Sequence, residues 1–242
     1  MVRDPWAGLQ RLKGGLIVSC QAAPGEPLGK PEHIVALALS AIAGGAAGLR
    51  LEGAENIAYV REKTDVPIIG LIKSTQVADH DRLREVYITR TFEEAQAVAE
   101  AGCDIIAVDA TGRQRPGGLT LTELVTRIHG KLGRPVWADV ATADQGAAAS
   151  DCGADAVSTT LYGYTEETKR PADAGPDFDL VAALCRIVPV PVILEGRVWH
   201  PHEVTRAFEL GCHAVVVGSA ITRPQLITRR FVKAIPVHRE IE

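Results

Sequence analysis

Residues 101–109 read Ala-Gly-Cys-Asp-Ile-Ile-Ala-Val-Asp, and residues 134–140 read Arg-Pro-Val-Trp-Ala-Asp-Val. Both stretches hold short, nearly continuous apolar runs, as expected of strands that are covered on both faces. The residues between them have a helical period, and strands that alternate with helices in this way are typical of parallel sheets. The order of strand, helix and strand therefore indicates a βαβ unit, in which Gly102 leads the first strand and Pro135 the second.

The same two kinds of strand start alternate along the chain. From the second predicted strand to the eighth, a leading Gly and a leading Pro take turns. A Gly just past a helix supplies a left-handed C-cap, whereas a Pro stops one element and starts an extended one. The predicted strands are Gly15–Ser19, Gly48–Glu52, Pro67–Lys73, Asp104–Asp109, Val136–Val140, Ala156–Thr160, Pro191–Glu195 and Ala214–Gly218.

Eight such units set the fold class. Spread over 242 residues, they take about 30 residues each, the size of one βα unit in a TIM barrel. The sequence therefore predicts an α/β fold in which residues 1–242 form a single (βα)8 barrel domain. An open, doubly wound sheet of nine strands is the alternative, because residues 86–89 form an extra apolar run. We expect this run to belong instead to a flap or insertion over the barrel top at residues 74–91.

Composition and charge narrow the function classes. Apolar residues make up 46% of the chain and charged residues 23%, which is enough apolar side chain to bury one large core. The formal net charge is −4, without a long basic or acidic block, so the chain lacks the electrostatic attraction to nucleic acids or anionic membranes. The longest uncharged apolar stretch, residues 34–49, is too short for a membrane-spanning helix. We expect a small-molecule substrate, and neither nucleic acid nor membrane as a partner.

Cysteine usage indicates a reducing compartment. The five cysteines are odd in number, widely spaced and without a Cys-x-x-Cys pair, which is typical of reduced thiols in a cytosol. The amino terminus shows no charged region followed by a long apolar core, so no export signal is expected. The sequence predicts a cytoplasmic protein with five buried core thiols, namely Cys20, Cys103, Cys152, Cys185 and Cys212.

The active site of a TIM barrel lies at the carboxyl ends of the strands, so polar residues there are the candidates for function. Strands seven and eight end in Glu195-Gly196-Arg197 and Gly218-Ser219-Ala220, and loops at these positions often hold a phosphate through backbone N–H groups. The same glycines also suit tight turns. The other polar residues at strand ends are Gln21, Arg50, Lys73, Asp109, Asp139, Thr159 and Thr160.

Lys73 closes an apolar strand, and several roles are open to it. Desolvation lowers the pKa of a lysine, which suits a general base or a Schiff-base amine. Alternatively, the amine extends to the rim or pairs with Glu195 or Asp109. Glu195 is similarly placed, and it is either a general acid or base or an ion-pair partner of Lys73 or Arg50. Opposite charges at one barrel mouth make proton transfer a reasonable expectation.

Neither a metal nor a nucleotide cofactor is expected. His33, His129, His200 and His202 lie in or beside predicted helices, and His213 opens strand eight, so these histidines are away from the strand ends that build a barrel site. No Gly-x-Gly-x-x-Gly or Walker motif occurs in the chain, so the sequence does not predict a nucleotide site.

Segments spread in order over nearly the whole chain carry a family resemblance. The most specific are Ser19-Cys20-Gln21 near the start and Gly218-Ser219-Ala220-Ile221-Thr222-Arg223-Pro224 near the end. With these segments, the chain resembles the N-acetylmannosamine-6-phosphate 2-epimerases, bacterial enzymes of amino-sugar and sialic acid breakdown that have a (βα)8 barrel. The matching segments between the two are Pro24–Leu28, Gly48–Arg50, Ile69–Lys73, Asp104–Thr111, Arg115–Gly118, Ala138–Asp139, Thr159–Thr165 and Glu195–Arg197.

The resemblance implies interconversion of N-acetylmannosamine 6-phosphate and N-acetylglucosamine 6-phosphate by movement of the C2 proton, without a cofactor. By matched position, Lys73 would be the proton-transferring base and Glu195 its acid/base partner. The resemblance also implies a homodimer. The expected substrate contacts are Gln21, Arg50, Asp139, Thr160 and Arg223, and the expected phosphate contacts are Gly196, Arg197, Gly218 and Ser219.

The chain departs from the family pattern at two places. Lys73 is followed by Ser74-Thr75-Gln76 instead of Arg-Asp-Tyr-Pro, and Ala-Asp-Ile-Ser-Thr becomes the sequence of residues 138–142, Ala-Asp-Val-Ala-Thr. These changes leave the residues of the core chemistry in place, and they affect which acyl group or sugar the site accepts. Other functions stay open: an aldolase or related lyase that uses Lys73 as a Schiff-base amine, or a non-catalytic sugar-phosphate binder. A metal-dependent pentose-phosphate epimerase is disfavoured because histidines are missing from the strand ends.

Overall fold

The computed structural model describes residues 4–23, 25–78, 81–171 and 173–236, and these form a closed barrel of eight parallel strands. The strands neighbour one another in sequence order, and β8 pairs with β1. The predicted (βα)8 barrel is therefore confirmed, and the alternative of an open doubly wound sheet is wrong. The strands are β1 (Gly15–Cys20), β2 (Gly48–Glu52), β3 (Ile68–Leu71), β4 (Ile105–Asp109), β5 (Val136–Asp139), β6 (Ala156–Ser158), β7 (Val192–Glu195) and β8 (Ala214–Val217).

Helices follow every strand and cover the outside of the barrel. One further helix, α1, precedes β1. No helix of the described residues is long and apolar enough to cross a membrane. The helices are α1 (Pro5–Arg11), α2 (Pro31–Ala43), α3 (Ala54–Arg61), α4 (Phe92–Glu100), α5 (Leu121–Arg127), α6 (Ala143–Asp151), α7 (Phe178–Ile187), α8 (Pro201–Glu209), α9 (Ser219–Thr222) and α10 (Pro224–Lys233).

Threonine residues are the N-caps of three of the helices that follow strands. Thr91, Thr120 and Thr142 each accept a hydrogen bond from the N–H three residues later, at the starts of α4, α5 and α6. Such caps satisfy one of the N–H groups that a helix start leaves without an intrahelical partner. Each of these helices therefore begins at a defined point beyond its strand.

Three of the four glycines that lead strands have the left-handed conformation that the sequence predicts. Gly102, Gly153 and Gly211 have φ angles of 100°, 92° and 98°, the left-handed conformation of a helix C-cap. Gly48 is different, since it is the first residue of β2, and the left-handed residue before that strand is Gly45. Gly48 is required by packing instead: a Cβ atom there would lie 2.4 Å from Leu12 Cδ2 and 3.1 Å from the carbonyl oxygen of Pro67.

We expect Gly48→Ala to destabilise the protein by about 1–3 kcal/mol, the usual effect of overpacking a filled core. Leu12, which the new methyl group would meet, is fully buried and has little room to move. Urea denaturation of the purified variants measures the effect. Gly130→Ala is the matched control, because a Cβ atom at Gly130 meets no atom within 4 Å. Equal stability of the two variants would contradict this account of Gly48.

The segment between β3 and α4 folds back so that residues 87–89 pair with residues 72–74, just beyond the end of β3. Lys73 forms an antiparallel bridge with Ile88, the N–H of Ser74 donates to the carbonyl of Tyr87 at 2.8 Å, and the N–H of Thr89 donates to that of Ile72 at 2.8 Å. β3 therefore ends at Leu71, two residues before the predicted end at Lys73. Residues 79 and 80 of the expected flap lie outside the described part of the chain.

The cysteines differ from expectation in two cases. Cys20, Cys103 and Cys212 are buried, as predicted, but Cys152 and Cys185 are partly exposed on the helical layer. The prediction of five buried thiols is therefore wrong for these two, because each lies at or near the end of a helix whose inner face alone packs on the sheet.

Candidate active site

The period of two along each strand brings the candidate side chains to one place. Residues two apart point to the same side of a strand, and alternate residues of a barrel strand point inward. Ile69, Ile105, Trp137 and Ile193 belong to one buried cluster that includes residues of seven of the eight strands. The inward positions above this layer are polar at the carboxyl ends. These positions are Ser19, Arg50, Lys73, Asp109, Asp139, Thr160 and Glu195.

Arg50 is the centre of a buried ion-pair network. Its Nη2 lies 2.6 Å from Asp139 Oδ2, and its Nη1 lies 3.1 Å from Asp139 Oδ1 and 3.0 Å from Glu195 Oε2. Arg50 is 1% exposed and Asp139 is fully buried. Burial alone would lower the pKa of Arg50, but Asp139 and Glu195 outweigh this effect and raise it. Arg50 is therefore a fixed cation that holds two carboxylates at the mouth of the barrel.

Thr160 connects the same two carboxylates. Its hydroxyl lies 2.7 Å from Asp139 Oδ1 and 3.1 Å from Glu195 Oε2. Thr159, the preceding residue, accepts a hydrogen bond from the N–H of Glu195 at 3.1 Å and donates to its carbonyl at 2.9 Å. The sequence predicted that both threonines lie inside the sixth strand. In the structure β6 ends at Ser158, so both lie just beyond it. Together they fix the position of Glu195 from both its backbone and its side chain.

Lys73 lies beside this network without joining it. No carboxylate of the described residues forms an ion pair with its amine, which removes the predicted alternative of pairing with Glu195 or Asp109. Burial lowers the pKa of Lys73 to about 8, with Arg50 and Arg223 adding to the shift and Glu52 opposing it. An amine with this pKa is neutral in a sizeable fraction near neutral pH, which a general base requires.

Glu195 carries the complementary shift. Burial raises the pKa of its carboxyl group to about 7, and Arg50 opposes the shift. Its side chain is 12% exposed and lies at the end of β7, so a substrate in the barrel mouth can reach it. Lys73 and Glu195 are therefore two ionisable groups at the mouth of the barrel whose pKa values lie close together, near neutrality.

The loops after β7 and β8 lie side by side, because Glu195 pairs with Val216 in the sheet. Gly196 has a φ angle of 107°, and Gly218 precedes the short helix α9. Within the described residues, the N–H groups of Ser219 and Ala220 donate to no backbone carbonyl, as is usual for the first turn of a helix. These N–H groups are therefore available to an anion.

The two arginines that were predicted to contact the substrate or its phosphate, Arg223 and Arg197, lie in different surroundings. Arg223 lies close enough to Lys73 to influence its pKa, and its Nη1 is 3.4 Å from Glu26 Oε1. The guanidinium of Arg197 instead donates to the carbonyl of Pro171 at 2.5 Å and stacks on Tyr164, 5.0 Å from the ring centroid. The structure therefore does not bring the side chain of Arg197 to the phosphate loops, and only its backbone follows Gly196 there.

Gln21 and Asp109 complete the predicted set. Gln21 follows β1 directly and donates to Ser19 Oγ at 2.9 Å, so it lines the mouth next to β8. Asp109 is fully buried and binds its own loop, accepting from Thr111 Oγ1 at 2.7 Å and Arg113 Nη2 at 2.8 Å. We assign Asp109 to loop structure, since these contacts occupy its carboxylate.

Three residues at the mouth were missed from the sequence. Glu52 ends β2, and its carboxylate accepts from the N–H of Lys73 at 3.4 Å. Tyr87 is buried beside Arg50 and Asp139, and burial raises the pKa of its phenol. Glu26 holds Arg223, as described above. Glu52 is the one that a sequence signal could have found, because it is two residues after Arg50 and so points to the same side.

Among the described residues, no group of three or more His, Cys, Asp or Glu side chains is arranged as the ligands of a metal ion. The chemistry available to the site itself is acid and base catalysis by Lys73 and Glu195 beside a fixed guanidinium.

Known proteins resemble this chain over nearly its full length. A family model described as "Putative N-acetylmannosamine-6-phosphate epimerase" matches residues 34–237. A Caldanaerobacter subterraneus protein named "Putative N-acetylmannosamine-6-phosphate 2-epimerase" is 47% identical over 96% of this chain and 95% of its own. A protein of the same name from Clostridioides difficile is 46% identical over 95% of this chain and 100% of its own.

Solved structures give the same result. The structure of the N-acetylmannosamine-6-phosphate 2-epimerase from Clostridium perfringens matches with a TM-score of 0.87 and 43% identity, over 94% of this chain and 96% of that one. Thiamine phosphate pyrophosphorylase from Pyrococcus furiosus matches with a TM-score of 0.57 and 14% identity, which shows the barrel fold alone. Given the family model and the relatives that share more than two fifths of their residues with it, the chain belongs to the N-acetylmannosamine-6-phosphate epimerase family.

Proposed function

We propose that this protein interconverts N-acetylmannosamine 6-phosphate and N-acetylglucosamine 6-phosphate by moving the proton on C2, without a cofactor. The observation that carries the proposal is the convergence of Lys73, with a pKa of about 8, and Glu195, with a pKa of about 7, at the mouth of the barrel. The family membership of the chain supports the same reaction and substrate class. The experiment that tests it is exchange of the C2 proton with deuterated solvent during turnover.

The chemistry of the reaction matches the groups that are present. The C2 proton is acidic because C2 is next to the masked aldehyde at C1, so its removal leaves an enolate. A base must take this proton, a donor must stabilise the developing oxyanion, and an acid must return a proton to the opposite face of C2. We assign Lys73 and Glu195 to the two proton transfers. Arg50 is the donor, because its guanidinium is held between Asp139 and Glu195 and cannot lose its charge.

The reaction runs in both directions, so the pair must be able to exchange roles. In one direction neutral Lys73 removes the proton and protonated Glu195 returns one. In the other direction, anionic Glu195 removes it and the ammonium of Lys73 returns one. Both states carry a single proton on the pair. Because the two pKa values differ by about one unit, the state with the proton on Lys73 exceeds the state with the proton on Glu195 by only about tenfold, so both states are accessible.

We therefore expect a bell-shaped pH profile of kcat/KM, with its maximum between pH values of about 7 and about 8. Below the lower value both groups are protonated and no base is left. Above the upper value both are deprotonated and no acid is left. Initial rates measured across the pH range give the profile, and the second pKa of the substrate phosphate, at about 6, lies below the acid limb. A rate constant that stays flat from about pH 6 to about pH 9 would contradict the assignment.

We assign the phosphate of the substrate to the loops after β7 and β8. The support is the pair of adjacent glycines, Gly196 and Gly218, and the free N–H group of Ser219. Arg223 supplies a cation at the same end of the barrel, currently held by Glu26. Gln21 donates to Ser19 at the end of β1 and Thr160 donates to Glu195, and we assign both side chains to contacts with the sugar.

We also infer that residues 74–91 act as a flap that borders the bound sugar. The support is the bridge between Lys73 and Ile88, which ties this segment to the proposed base. This is also where the chain departs from the family pattern, so the segment is the place where we expect the acyl group of the substrate to be distinguished.

We further infer a homodimer that works in the cytoplasm. Two large apolar side chains at the carboxyl end, Phe231 and Ile235, are 73% and 65% exposed, as expected where a second copy packs. All five cysteines are free thiols, which suits a reducing compartment.

A further inference from the structure

Two cysteines meet at the amino-terminal end of the barrel, opposite to the active site. Cys185 lies in the last turns of α7, and Cys212 lies in the turn between α8 and β8. The left-handed Gly211 brings this turn against α7: a Cβ atom at Gly211 would lie 3.8 Å from both Cβ and Sγ of Cys185. Cys212 is the next residue, and its N–H is fixed by a hydrogen bond of 3.1 Å to the carbonyl of Ala207. The two thiols are therefore neighbours although 27 residues separate their numbers.

The two side chains pack in one apolar cluster, and their surroundings differ. The neighbouring Cys212 thiol lowers the pKa of Cys185, whereas the neighbouring Cys185 thiol, followed by burial, raises the pKa of Cys212. Cys185 is partly exposed and Cys212 is only 8% exposed. Both line one surface cavity of about 430 Å³, together with Lys13 and His213. A small reagent can therefore reach Cys185, and the buried partner lies directly behind it.

The other three cysteines lack this arrangement. Burial raises the pKa of both Cys20 and Cys103 to about 12, which keeps them as unreactive thiols. Cys152 is partly exposed, but its sulfur accepts a hydrogen bond from Thr122 Oγ1 at 3.1 Å. Redox-sensitive cysteines are typically accessible, have a low pKa and lie next to a resolving cysteine. Only Cys185 meets these conditions here.

We propose that Cys185 and Cys212 form a redox-active dithiol, which a peroxide oxidises to an intramolecular disulfide. In the first step the thiolate of Cys185 attacks one peroxide oxygen. An S–O bond forms, the O–O bond breaks, and the leaving hydroxide or alkoxide takes up a proton. In the second step the sulfur of Cys212 attacks the sulfenic acid of Cys185. The S–S bond forms, the S–O bond breaks, and the departing hydroxide leaves as water with the proton of Cys212. One peroxide is reduced for each pair of thiols that is oxidised.

This modification site is independent of the proposed epimerase reaction. The disulfide would join α7 to the turn before β8, enclosing β7 and α8 in a covalent loop. It forms at the opposite end of the barrel from Lys73 and Glu195, and its test needs no sugar phosphate.

The test is titration of the full-length reduced protein with one equivalent of hydrogen peroxide, followed by thiol counting, intact mass and peptide mapping. The wild type is expected to lose two of its five thiols, with a mass decrease of about 2 Da and a Cys185–Cys212 linked peptide. Cys152→Ser is the matched control, since Cys152 is also partly exposed, and it is expected to lose two thiols in the same way. Cys212→Ser is expected to stop at a sulfenic acid on Cys185, which dimedone captures.

The proposal is overturned if the wild type keeps all five thiols, if the linked peptide contains another pair of cysteines, or if the disulfide joins two chains. It is also overturned if Cys185→Ser loses thiols as fast as the wild type does. The peptide map of the wild type decides the matter by itself, so the test does not depend on the folding of any variant.

Discussion

Lys73→Ala is expected to reduce epimerisation by about 10²-fold to 10⁴-fold, the range over which a positioned general base contributes. Lys73 lies at the mouth of the barrel without an ion-pair partner among the described residues, and burial lowers its pKa to about 8. Alanine leaves Arg50 and the phosphate loops in place, so substrate still binds. The loss is therefore expected in kcat, with a much smaller change in KM, because the missing group acts in the transition state. Steady-state kinetics on the purified variant measure both constants.

The matched control for this variant is Lys63→Ala. Lys63 is 55% exposed and pairs only loosely with Glu62, at 3.8 Å. The same loss of positive charge on the surface is expected to leave kcat and KM within about twofold of the wild type, because surface substitutions away from special features have little effect. Two variants with equal kcat would remove Lys73 from the mechanism. A Lys73→Ala variant with normal kcat and raised KM would make Lys73 a binding group.

Asp139→Ala is expected to lower the free energy of unfolding by about 3 kcal/mol or more, because it leaves a buried guanidinium without its main partner. Asp139 holds both terminal nitrogens of Arg50, at 2.6 Å and 3.1 Å, and both side chains are almost completely inaccessible to water. Glu195 would remain as the second partner of Arg50, and the pKa of its carboxyl group should fall as it becomes the only one. Urea denaturation followed by circular dichroism measures the stability.

Glu166→Ala is the control for the loss of an ion pair as such. Glu166 lies 3.2 Å from Arg84 Nε, and both side chains are more than half exposed. An exposed pair of this kind contributes about 1 kcal/mol or less. If the two variants lose the same stability, the Arg50 network does not act as a buried ion pair. If Asp139→Ala keeps full activity, Asp139 is not needed to hold Arg50 where it stabilises the enolate.

The barrel could be predicted because its information is local. Leading glycines such as Gly102 and Gly153 end helices in a left-handed conformation, and this backbone requirement is visible in the sequence. The strand ends then identify the candidate site without knowledge of contacts, because all parallel strands of a barrel point the same way. Arg50, Asp139 and Glu195 were found for this reason, and the structure brings them together.

The parts that could not be predicted depend on contacts between distant residues. The end of β3 was placed two residues too late, because Lys73 pairs with Ile88 in an antiparallel bridge that no local period encodes. The side chain of Arg197 donates to the carbonyl of Pro171, which is 26 residues away in the sequence, and no local pattern predicts this contact. The meeting of Cys185 with Cys212 depends on how a helix packs against a turn.

The chemistry of the site was only partly predictable for a different reason. A pKa depends on burial and on every neighbouring charge, and the sequence reveals neither. The apolar strand before Lys73 indicated desolvation, but no sequence pattern showed that the charges of Glu52 and Arg223 act on its amine. The identity of the substrate was predicted from the resemblance to a family. The residues alone were also consistent with an aldolase and with a sugar-phosphate-binding protein.

We propose that this protein moves the proton on C2 of a 2-acetamido sugar phosphate. Proton NMR of N-acetylmannosamine 6-phosphate in deuterium oxide, recorded with the wild type and with Lys73→Ala, tests it most directly. We predict that the wild type forms N-acetylglucosamine 6-phosphate with deuterium at C2, and that Lys73→Ala does not. An unchanged spectrum with the wild type, or an epimer that keeps its original proton at C2, would contradict the claim.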